Sequence, residues 1–169
     1  MRLFTPGRGR FIVLTAIVFA ANFLADRVTK LVAVALLADR PPISLLGGTV
    51  VIGYAENSGA FLGMGALWPP VLKYALLLAL PIALCLYGLW HCAFREPDRL
   101  RLTLYATIAG GGLGNLVDRL FNGFRVVDFL NFGIGGLRTG VLNVADLSVT
   151  FGALALLIHE YALSRKGRA

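Results

Sequence analysis

Four stretches of this 169-residue sequence are each apolar over about 20 residues, the length that an α-helix needs to cross the hydrocarbon core of a lipid bilayer. They cover residues 11–37, 71–94, 102–121 and 141–163. Only 15% of the residues are charged, against about 25% in soluble domains, so a water-exposed body would lack polar cover. The sequence therefore predicts an all-α membrane protein, a single domain over residues 1–169 with four transmembrane helices.

The basic residues indicate how these helices are oriented. With four spans, both chain termini lie on the same side of the membrane. That side holds the larger set of basic residues, namely Arg2, Arg8, Arg10, Arg95, Arg99, Arg101, Arg165, Lys166 and Arg168. The opposite loops hold Arg40, Arg119, Arg125 and Arg138, with Lys73 at the edge of a span. By the positive-inside rule, both termini are expected in the cytoplasm.

Two segments between the spans are predicted to face the outer side of the membrane. Residues 38–70 are rich in glycine and proline and contain a β-prone stretch at 49–52, which predicts a small sheet or hairpin on the outer leaflet. Residues 122–140 are rich in glycine and are predicted to form a second outer loop. The protein is therefore expected to carry a small cap outside the membrane.

Ionisable residues inside a transmembrane helix cost about 2.5–3.5 kcal/mol each on insertion scales, so their presence indicates a specific role. Asp26 and Lys30 are four residues apart in the first span, and they therefore share one face of the helix. This spacing predicts an ion pair within the helix that neutralises both charges.

The third and fourth spans each carry an amide and a carboxylate three residues apart near the outer end, namely Asn115 with Asp118 and Asn143 with Asp146. Asp128 follows the third span at the same level. Two aspartates within hydrogen-bond reach cannot easily both ionise, so such a pair holds a shared proton. One member acts as general base on a water while the other donates to a carbonyl oxygen. The spacing predicts an acid/base site and leaves open which two of the three aspartates form the pair.

Cysteine, histidine and glycine patterns in the spans indicate packing rather than a metal or cofactor. Cys85 and Cys92 lie about 10 Å apart along a helix, too far for a disulfide. His159–Glu160 begins like the HExxH zinc motif but lacks the second histidine. Gly110 and Gly114 form a pair of small residues four apart, which predicts close contact between helices. No metal and no cofactor are expected.

Five short motifs follow one another along the chain. They are Asp26-Arg27-Val28-Thr29-Lys30, Asn57-Ser58-Gly59-Ala60-Phe61, Gly111-Gly112-Leu113-Gly114-Asn115-Leu116-Val117-Asp118-Arg119, Val126-Val127-Asp128-Phe129 and Asn143-Val144-Ala145-Asp146. In this order, between four spans, they closely resemble the motifs of the lipoprotein signal peptidases, the signal peptidase II family of bacterial aspartic peptidases. Arg27 stands where the family commonly has glutamine, Leu142 stands where many members have phenylalanine, and the Asn57 motif is one residue shorter than its commonest form.

The resemblance implies a role for each matching residue. The catalytic dyad would be Asp128 and Asp146. Four polar residues would line the site and bind the substrate, namely Asn57, Asn115, Arg119 and Asn143. Four further residues would support the shape of the pocket, namely Asp26, Lys30, Gly59 and Asp118. The cap over residues 38–70 would be the family's β-cradle and short interfacial helix.

The resemblance also implies the reaction and its partners. The enzyme would be an aspartic endopeptidase that removes the signal peptide from diacylglyceryl-modified prolipoproteins, cutting before the lipidated cysteine with one dyad-activated water. Its partners would be this substrate and membrane lipid, in the bacterial inner membrane, with the site near the outer face. No nucleic-acid partner is expected, because the net charge of +7 comes with no nucleic-acid-binding motif. Four spans can close one bundle, so a monomer is expected.

Two other classes of protein fit part of this pattern. A small transporter or channel subunit would line a polar path with aspartate, asparagine and arginine, but it is expected to carry charges at mid-depth or inverted repeats with broken helices. An inactive relative would bind lipidated peptides without cutting them, but the chain retains both Asp128 and Asp146. Cleavage assays with and without the family's inhibitor globomycin distinguish the three classes.

Overall fold

The structure, a computed structural model, describes residues 8–60, 63–94 and 98–166. Its helices and strands, in chain order, are α1 (Arg8–Leu37), β1 (Ile43–Leu45), β2 (Val50–Asn57), α2 (Pro70–Tyr74), α3 (Leu80–Phe94), α4 (Arg99–Phe121), β3 (Val126–Ile134), β4 (Leu137–Leu142) and α5 (Val144–Lys166). A π-helical turn at Ala75–Ala79 joins α2 to α3 without a break. Four long helical segments and one sheet therefore make up the described fold.

The π-helical turn stands directly before Pro81, which lies in the first turn of α3. Proline has no amide hydrogen to donate, and its ring crowds the carbonyl four residues earlier, here that of Leu77. A local change to π-helical bonding lets a membrane helix absorb such a break and continue. The second predicted span is therefore one helical segment despite its proline.

Three helices are long and apolar enough to cross a membrane: Gly9–Leu37, Pro70–Cys92 and Val144–Arg165. They correspond to the first, second and fourth predicted spans. On these helices large apolar side chains face outward, as lipid-facing positions require; Leu31 is 62% exposed and Leu157 is 68% exposed. All three segments therefore have the length and the surface of membrane helices.

The third predicted span is the helix α4, which is less apolar than the three helices just described and is not among the candidate membrane spans. Its packing explains the difference, because α4 lies against α1, α3 and α5. Its buried positions are mainly alanine and glycine, and they include the carboxylate Asp118. A helix that is surrounded by protein needs small residues for close contact more than it needs large residues that face lipid.

Gly110 and Gly114 allow α1 to approach α4 closely, as the spacing predicts. A Cβ atom at Gly110 would lie 2.5 Å from the carbonyl oxygen of Phe19, and one at Gly114 would overlap the carboxylate of Asp26. Gly111 plays the same part toward α5, where a Cβ atom would lie 2.7 Å from that of Ser148. The glycine run therefore packs two helices against α4 at once.

The outer cap is one antiparallel sheet with the strand order β1-β2-β3-β4. The sheet expected within residues 38–70 is confirmed as β1 and β2, whose register pairs Ser44 with Val51. The prediction of a loop over residues 122–140 was wrong, because most of this segment is the hairpin β3-β4, and β3 pairs with β2. Its glycines indicated a loop, but Gly135 and Gly136 only form the turn of the hairpin, and the buried start of β3 lacks a simple alternating pattern.

The segment between β2 and α2 and the two cysteines of α3 bear on two further predictions. The residues from Gly63 to Trp68 form successive turns, in which the amides of Ala66 and Trp68 donate to the carbonyls of Gly63 and Gly65. Phe61 and Leu62 lie outside the described residues. The short interfacial helix that was expected within residues 38–70 stays a prediction. Cys85 and Cys92 are not joined by a disulfide, as the spacing requires.

We expect Gly110→Ala to destabilise the protein by about 1–3 kcal/mol, the usual cost of forcing extra volume into a packed core. The added methyl would collide with backbone, which cannot move aside as a flexible side chain would. Gly88→Ala is the matched control, because a Cβ atom there meets nothing within 4 Å and alanine favours helix. Thermal unfolding in detergent micelles measures both variants, and an equal midpoint for the two would contradict this account of the packing.

Candidate active site

A cavity of about 260 Å³ lies where the sheet meets the adjoining ends of the helices. It brings together polar residues from β2, α4, β3 and α5, namely Asn57, Asn115, Arg119, Asp128 and Asp146. Apolar residues form much of the remaining wall, among them Leu76, Leu77, Pro81, Leu116 and Val149. The cavity therefore presents a few convergent polar groups inside an apolar enclosure, the usual composition of a ligand site.

Asn143 links the two aspartates that line this cavity. Its side-chain amide donates to Asp128 Oδ1 at 2.6 Å, and its backbone amide donates to Asp146 Oδ2 at 3.2 Å. The backbone amide of Asp146 in turn donates to Asn143 Oδ1 at 2.8 Å. Asn143 and Asp128 are almost completely buried. One asparagine therefore holds two carboxyl groups from different elements in a fixed relation.

The second oxygen of each carboxyl group also accepts a hydrogen bond. Asn57 Nδ2 donates to Asp128 Oδ2 at 3.2 Å, and Asn115 Nδ2 donates to Asp146 Oδ1 at 2.9 Å. The side-chain oxygen of Asn115 is itself fixed, because it accepts from Asn143 at 3.0 Å. Three asparagines thus restrict the rotation of both carboxyl groups and hold them in place for chemistry.

Burial, together with the negative charge of Asp146, raises the pKa of Asp128 to about 6. Hydrogen bonds from Asn57 and Asn143 favour the ionised form of Asp128, but they offset only part of this effect. Near neutral pH this carboxyl group therefore exchanges its proton easily. Such a group can both give and take a proton within one reaction cycle.

A buried cluster of charges lies behind the cavity. Lys30 forms the predicted ion pair with Asp26 on its own helix at 2.9 Å, which confirms that prediction. It also pairs with Asp118 on α4 at 2.9 Å and donates to Asn115 at 2.7 Å. The ammonium group is only 1% exposed. Spacing within one helix predicted a local pair, but the ammonium group actually joins two helices.

The two carboxylates around Lys30 each hold the backbone next to a cavity aspartate. Asp26 Oδ1 accepts from the amide of Ala145 at 2.9 Å, one residue before Asp146. Asp118 Oδ2 accepts from the amide of Val127 at 3.1 Å, one residue before Asp128. Lys30 therefore fixes, through two carboxylates, the chain on which both aspartates stand.

Arg27 is a member of this cluster that reasoning from the sequence did not assign. Its guanidinium pairs with Asp118, so the cluster holds two cations and two carboxylates. The sequence shows that arginine replaces the common glutamine at position 27. It gives no local sign of the ion pair, because the partner of Arg27, Asp118, lies on another helix.

Arg119 and Gly59 connect the loop after β2 to α4. Arg119 Nη2 donates to the carbonyl of Gly59 at 2.7 Å. Only glycine fits at position 59, because a Cβ atom there would lie 2.6 Å from the carbonyl oxygen of Gly63. Arg119 Nε is buried without a partner among the described residues, and Arg119 lines the cavity. This donor is therefore available to a bound molecule.

The structure thus places the predicted site residues in two groups. The two aspartates, Asn57, Asn115 and Arg119 line the cavity, and Asn143 bridges the aspartates behind it. Asp26, Lys30, Asp118 and Gly59 support these residues from outside it. Phe61 of the second motif lies outside the described residues. Across the described ranges, no group of three or more His, Cys, Asp or Glu side chains could hold a metal ion.

A helical membrane bundle with two carboxyl groups held together in a partly apolar cavity belongs to the class of membrane enzymes that work by acid/base chemistry. Comparisons with known proteins make this specific. The family model for signal peptidase (SPase) II matches residues 18–162. The chain therefore belongs to the signal peptidase II family of aspartic peptidases, the lipoprotein signal peptidases.

Individual relatives agree with this family. The lipoprotein signal peptidase of Symbiobacterium thermophilum is 33% identical over 93% of this chain and 100% of its own length. That of Chlorobaculum parvum is 41% identical over 79% of this chain and 86% of its own length. A solved bacterial membrane enzyme, 22% identical, shares the fold with a TM-score of 0.71 over 91% of this chain and 88% of its own. The resemblance that the five motifs indicated is confirmed.

We expect Lys30→Met to destabilise the protein by about 3–5 kcal/mol, because two buried carboxylates lose the ammonium group between them. Chemical unfolding in micelles measures the loss. Lys73→Met, at a half-buried lysine in α2, is the matched control and should change stability little. If Lys30→Met unfolds at the same denaturant concentration as the control, the cluster does not carry the role described.

The raised pKa of Asp128 predicts a pH-dependent stability. The folded pKa of about 6 lies above the ordinary 3.8, so the folded state holds this proton more tightly than the unfolded chain does. The resulting stabilisation is fully present below pH 3.8 and is lost as the pH rises through 6, by about 3 kcal/mol in total. Asp128→Asn removes this contribution. Between pH 4.5 and pH 7, the unfolding free energy of the wild type should therefore fall by more than that of the variant. Equal changes in the two proteins would show that Asp128 has an ordinary pKa.

Proposed function

We propose that this protein cuts diacylglyceryl-modified prolipoproteins before their lipidated cysteine, using Asp128 and Asp146 as the catalytic dyad and one water as the nucleophile. The observation that carries the proposal is the bridge through Asn143, which holds both carboxyl groups in one cavity. The chain's lipoprotein signal peptidase family supports the substrate class.

The first step needs one ionised and one protonated carboxyl group. The ionised member accepts a proton from the water, and the water oxygen attacks the scissile carbonyl carbon. The protonated member donates to the carbonyl oxygen, so a neutral tetrahedral diol forms. The raised pKa of Asp128, about 6, keeps a fraction of this carboxyl group protonated near neutral pH, and the first step needs such a protonated member.

The second step breaks the carbon–nitrogen bond. The carboxyl group that received the water proton gives a proton to the leaving nitrogen, which becomes the free amino group of the cysteine. The other carboxyl group takes back the proton of a diol hydroxyl as the new carboxyl end of the signal peptide forms. The dyad ends with one proton, as it began, so no cofactor is consumed.

Arg119 and the asparagines are proposed to hold the substrate backbone. The buried Nε–H of Arg119 has no partner among the described residues and would donate to a peptide carbonyl in the cavity. Asn57 and Asn115 already orient the carboxyl groups, so a peptide that contacts them is placed at the dyad. Holding the reactants in this way can contribute about 7–11 kcal/mol to lowering the barrier.

We also propose that α4 is the fourth transmembrane helix, with both chain termini in the cytoplasm of a bacterial cell and the sheet at the outer face of the inner membrane. The strands follow α1 and α4 and precede α2 and α5, so the C-terminal ends of α1 and α4 and the N-terminal ends of α2 and α5 lie at the cap. The excess of basic residues near the opposite end supports this orientation. One chain supplies every residue of the site, which supports a monomer.

The cavity geometry favours a peptidase over a transporter subunit. The cavity's carboxylates, amides and guanidinium converge where helices meet the sheet, rather than along a path between the two ends of the bundle. A relative that only binds would not need two carboxyl groups held in one cavity. A protein that cuts a peptide bond by acid/base chemistry needs that arrangement.

We expect Asp128→Asn and Asp146→Asn each to lower cleavage of a diacylglyceryl-modified prolipoprotein in micelles by about 10²–10⁴-fold, the range attributable to general acid–base catalysis. Asparagine has nearly the same shape as the aspartate it replaces, so both variants should fold, and their unfolding midpoints check this. Asp39→Asn, at an exposed aspartate after α1, is the matched control and should cut normally.

The product identifies the bond that is cut. Mass spectrometry should find a mature chain beginning at the lipidated cysteine, and globomycin should block its appearance. Wild-type rates in either dyad variant would refute the mechanism. Binding of the prolipoprotein without any cleavage by the wild type would favour the inactive relative instead.

A further inference from the structure

A second cavity, of about 390 Å³, adjoins the first at the predicted dyad. The two cavities share the lining residues Asn57, Asp128 and Val141. The other residues that line the second cavity include Ala55, Glu56, Ser58, Ala66 and Gly140. All of its lining residues belong to the sheet or to the turns after β2, whereas the first cavity is lined largely by helices. Asp128 therefore stands at a junction between a helical, apolar cavity and a non-helical one.

A peptide whose scissile bond lies at Asp128 extends away from this residue in two directions. The signal peptide and the acyl chains are apolar, so their transfer from water to the apolar cavity and the surrounding lipid is favourable. The chain that follows the cysteine belongs to a polypeptide outside the bilayer. The second cavity also begins at Asp128, and its wall includes the polar residues Glu56 and Ser58.

We propose that the second cavity is a subsite for the short extended stretch of polypeptide that follows the lipidated cysteine. This inference rests on the proposed function, which supplies the scissile bond. The subsite binds the leaving side of the substrate, so it contributes to affinity for the uncut chain and is vacated when the mature protein departs.

The wall of this cavity is fixed rather than loose. Asn57 holds the turn after β2 in place, accepting from the amide of Gly59 at 2.9 Å and donating to the carbonyl of Ala60 at 3.1 Å. The amide of Ala60 donates to the carbonyl of Met64 at 2.7 Å. The same Asn57 donates to Asp128, so the wall and the dyad are held in one register. A preformed wall lowers the entropy cost of binding a flexible chain.

The composition of the wall suits substrates of varied sequence. Ala55, Ser58, Ala66 and Gly140 have small side chains, which leave room for different side chains on the bound peptide. The carboxylate of Glu56 is paired with Arg125 at 2.7 Å, so its charge is largely neutralised. We therefore expect the subsite to recognise the peptide backbone rather than one particular residue.

Two synthetic diacylglyceryl-modified peptides test the subsite. Both carry the same signal sequence; one ends directly after the cysteine and the other continues for several residues. We expect wild type to cut the longer peptide with a kcat/KM at least about fivefold higher, mainly through a lower KM. Ala66→Phe, which fills the second cavity, should bring this ratio close to one. Ala38→Phe, at an exposed residue after α1, is the matched control and should keep the wild-type ratio.

A photo-crosslinker on the second residue after the cysteine gives a readout that does not depend on the rate. In Asp146→Asn, which lines only the first cavity, we expect crosslinks to residues 55–58 and 63–66. Crosslinks to Leu76, Leu77 or Pro81 instead would contradict the proposed subsite. So would a folded Ala66→Phe variant that keeps the wild-type ratio of kcat/KM between the longer and the shorter peptide. Cleavage by wild type and its loss in Asp146→Asn test the proposed function separately, so the two failures can be told apart.

Discussion

The buried ammonium group of Lys30 is the interaction on which the rest of the site depends. It lies between Asp26 and Asp118, and each of these carboxylates holds the backbone one residue before a cavity aspartate. Burial of such charges is costly unless every one is paired and hydrogen-bonded. The pairing therefore fixes α1, α4, the start of β3 and the start of α5 at one point. The stability of the fold and the geometry of the two cavity aspartates therefore come from the same contacts.

Apolar length alone predicted the four long helical segments, because a bilayer allows few alternatives to a helix of about 20 residues. It did not predict that α4 packs against three other helices. That enclosure explains why α4 is less apolar than the other three segments, since few of its residues need to face lipid. The sheet was only half predicted. β2 carries a visible β-prone stretch, but β3 pairs with it from about 80 residues away, as in Val51 with Asn131, and such pairing leaves no local signal.

The site was predicted by two kinds of reasoning with different reach. Spacing on helices indicated an acid/base site and the pair of Asp26 with Lys30, because residues four apart share a helix face. It left the choice among three aspartates open, and only the resemblance to a family selected two. The structure places Asp118 with Lys30 and places Asp128 and Asp146 in the cavity, a sorting that depends on contacts between distant segments.

The protein enclosure of α4 has a consequence for how the chain is made. A helix of this composition, with Asp118 and Arg119 near one end, gains little by entering lipid on its own. Because α1 precedes α4 along the chain, Lys30 is already present to neutralise Asp118 once α4 has been made. α5 is synthesised afterwards and covers another face of α4. The order of segments thus gives the least apolar of the long helices a charged partner that is made before it.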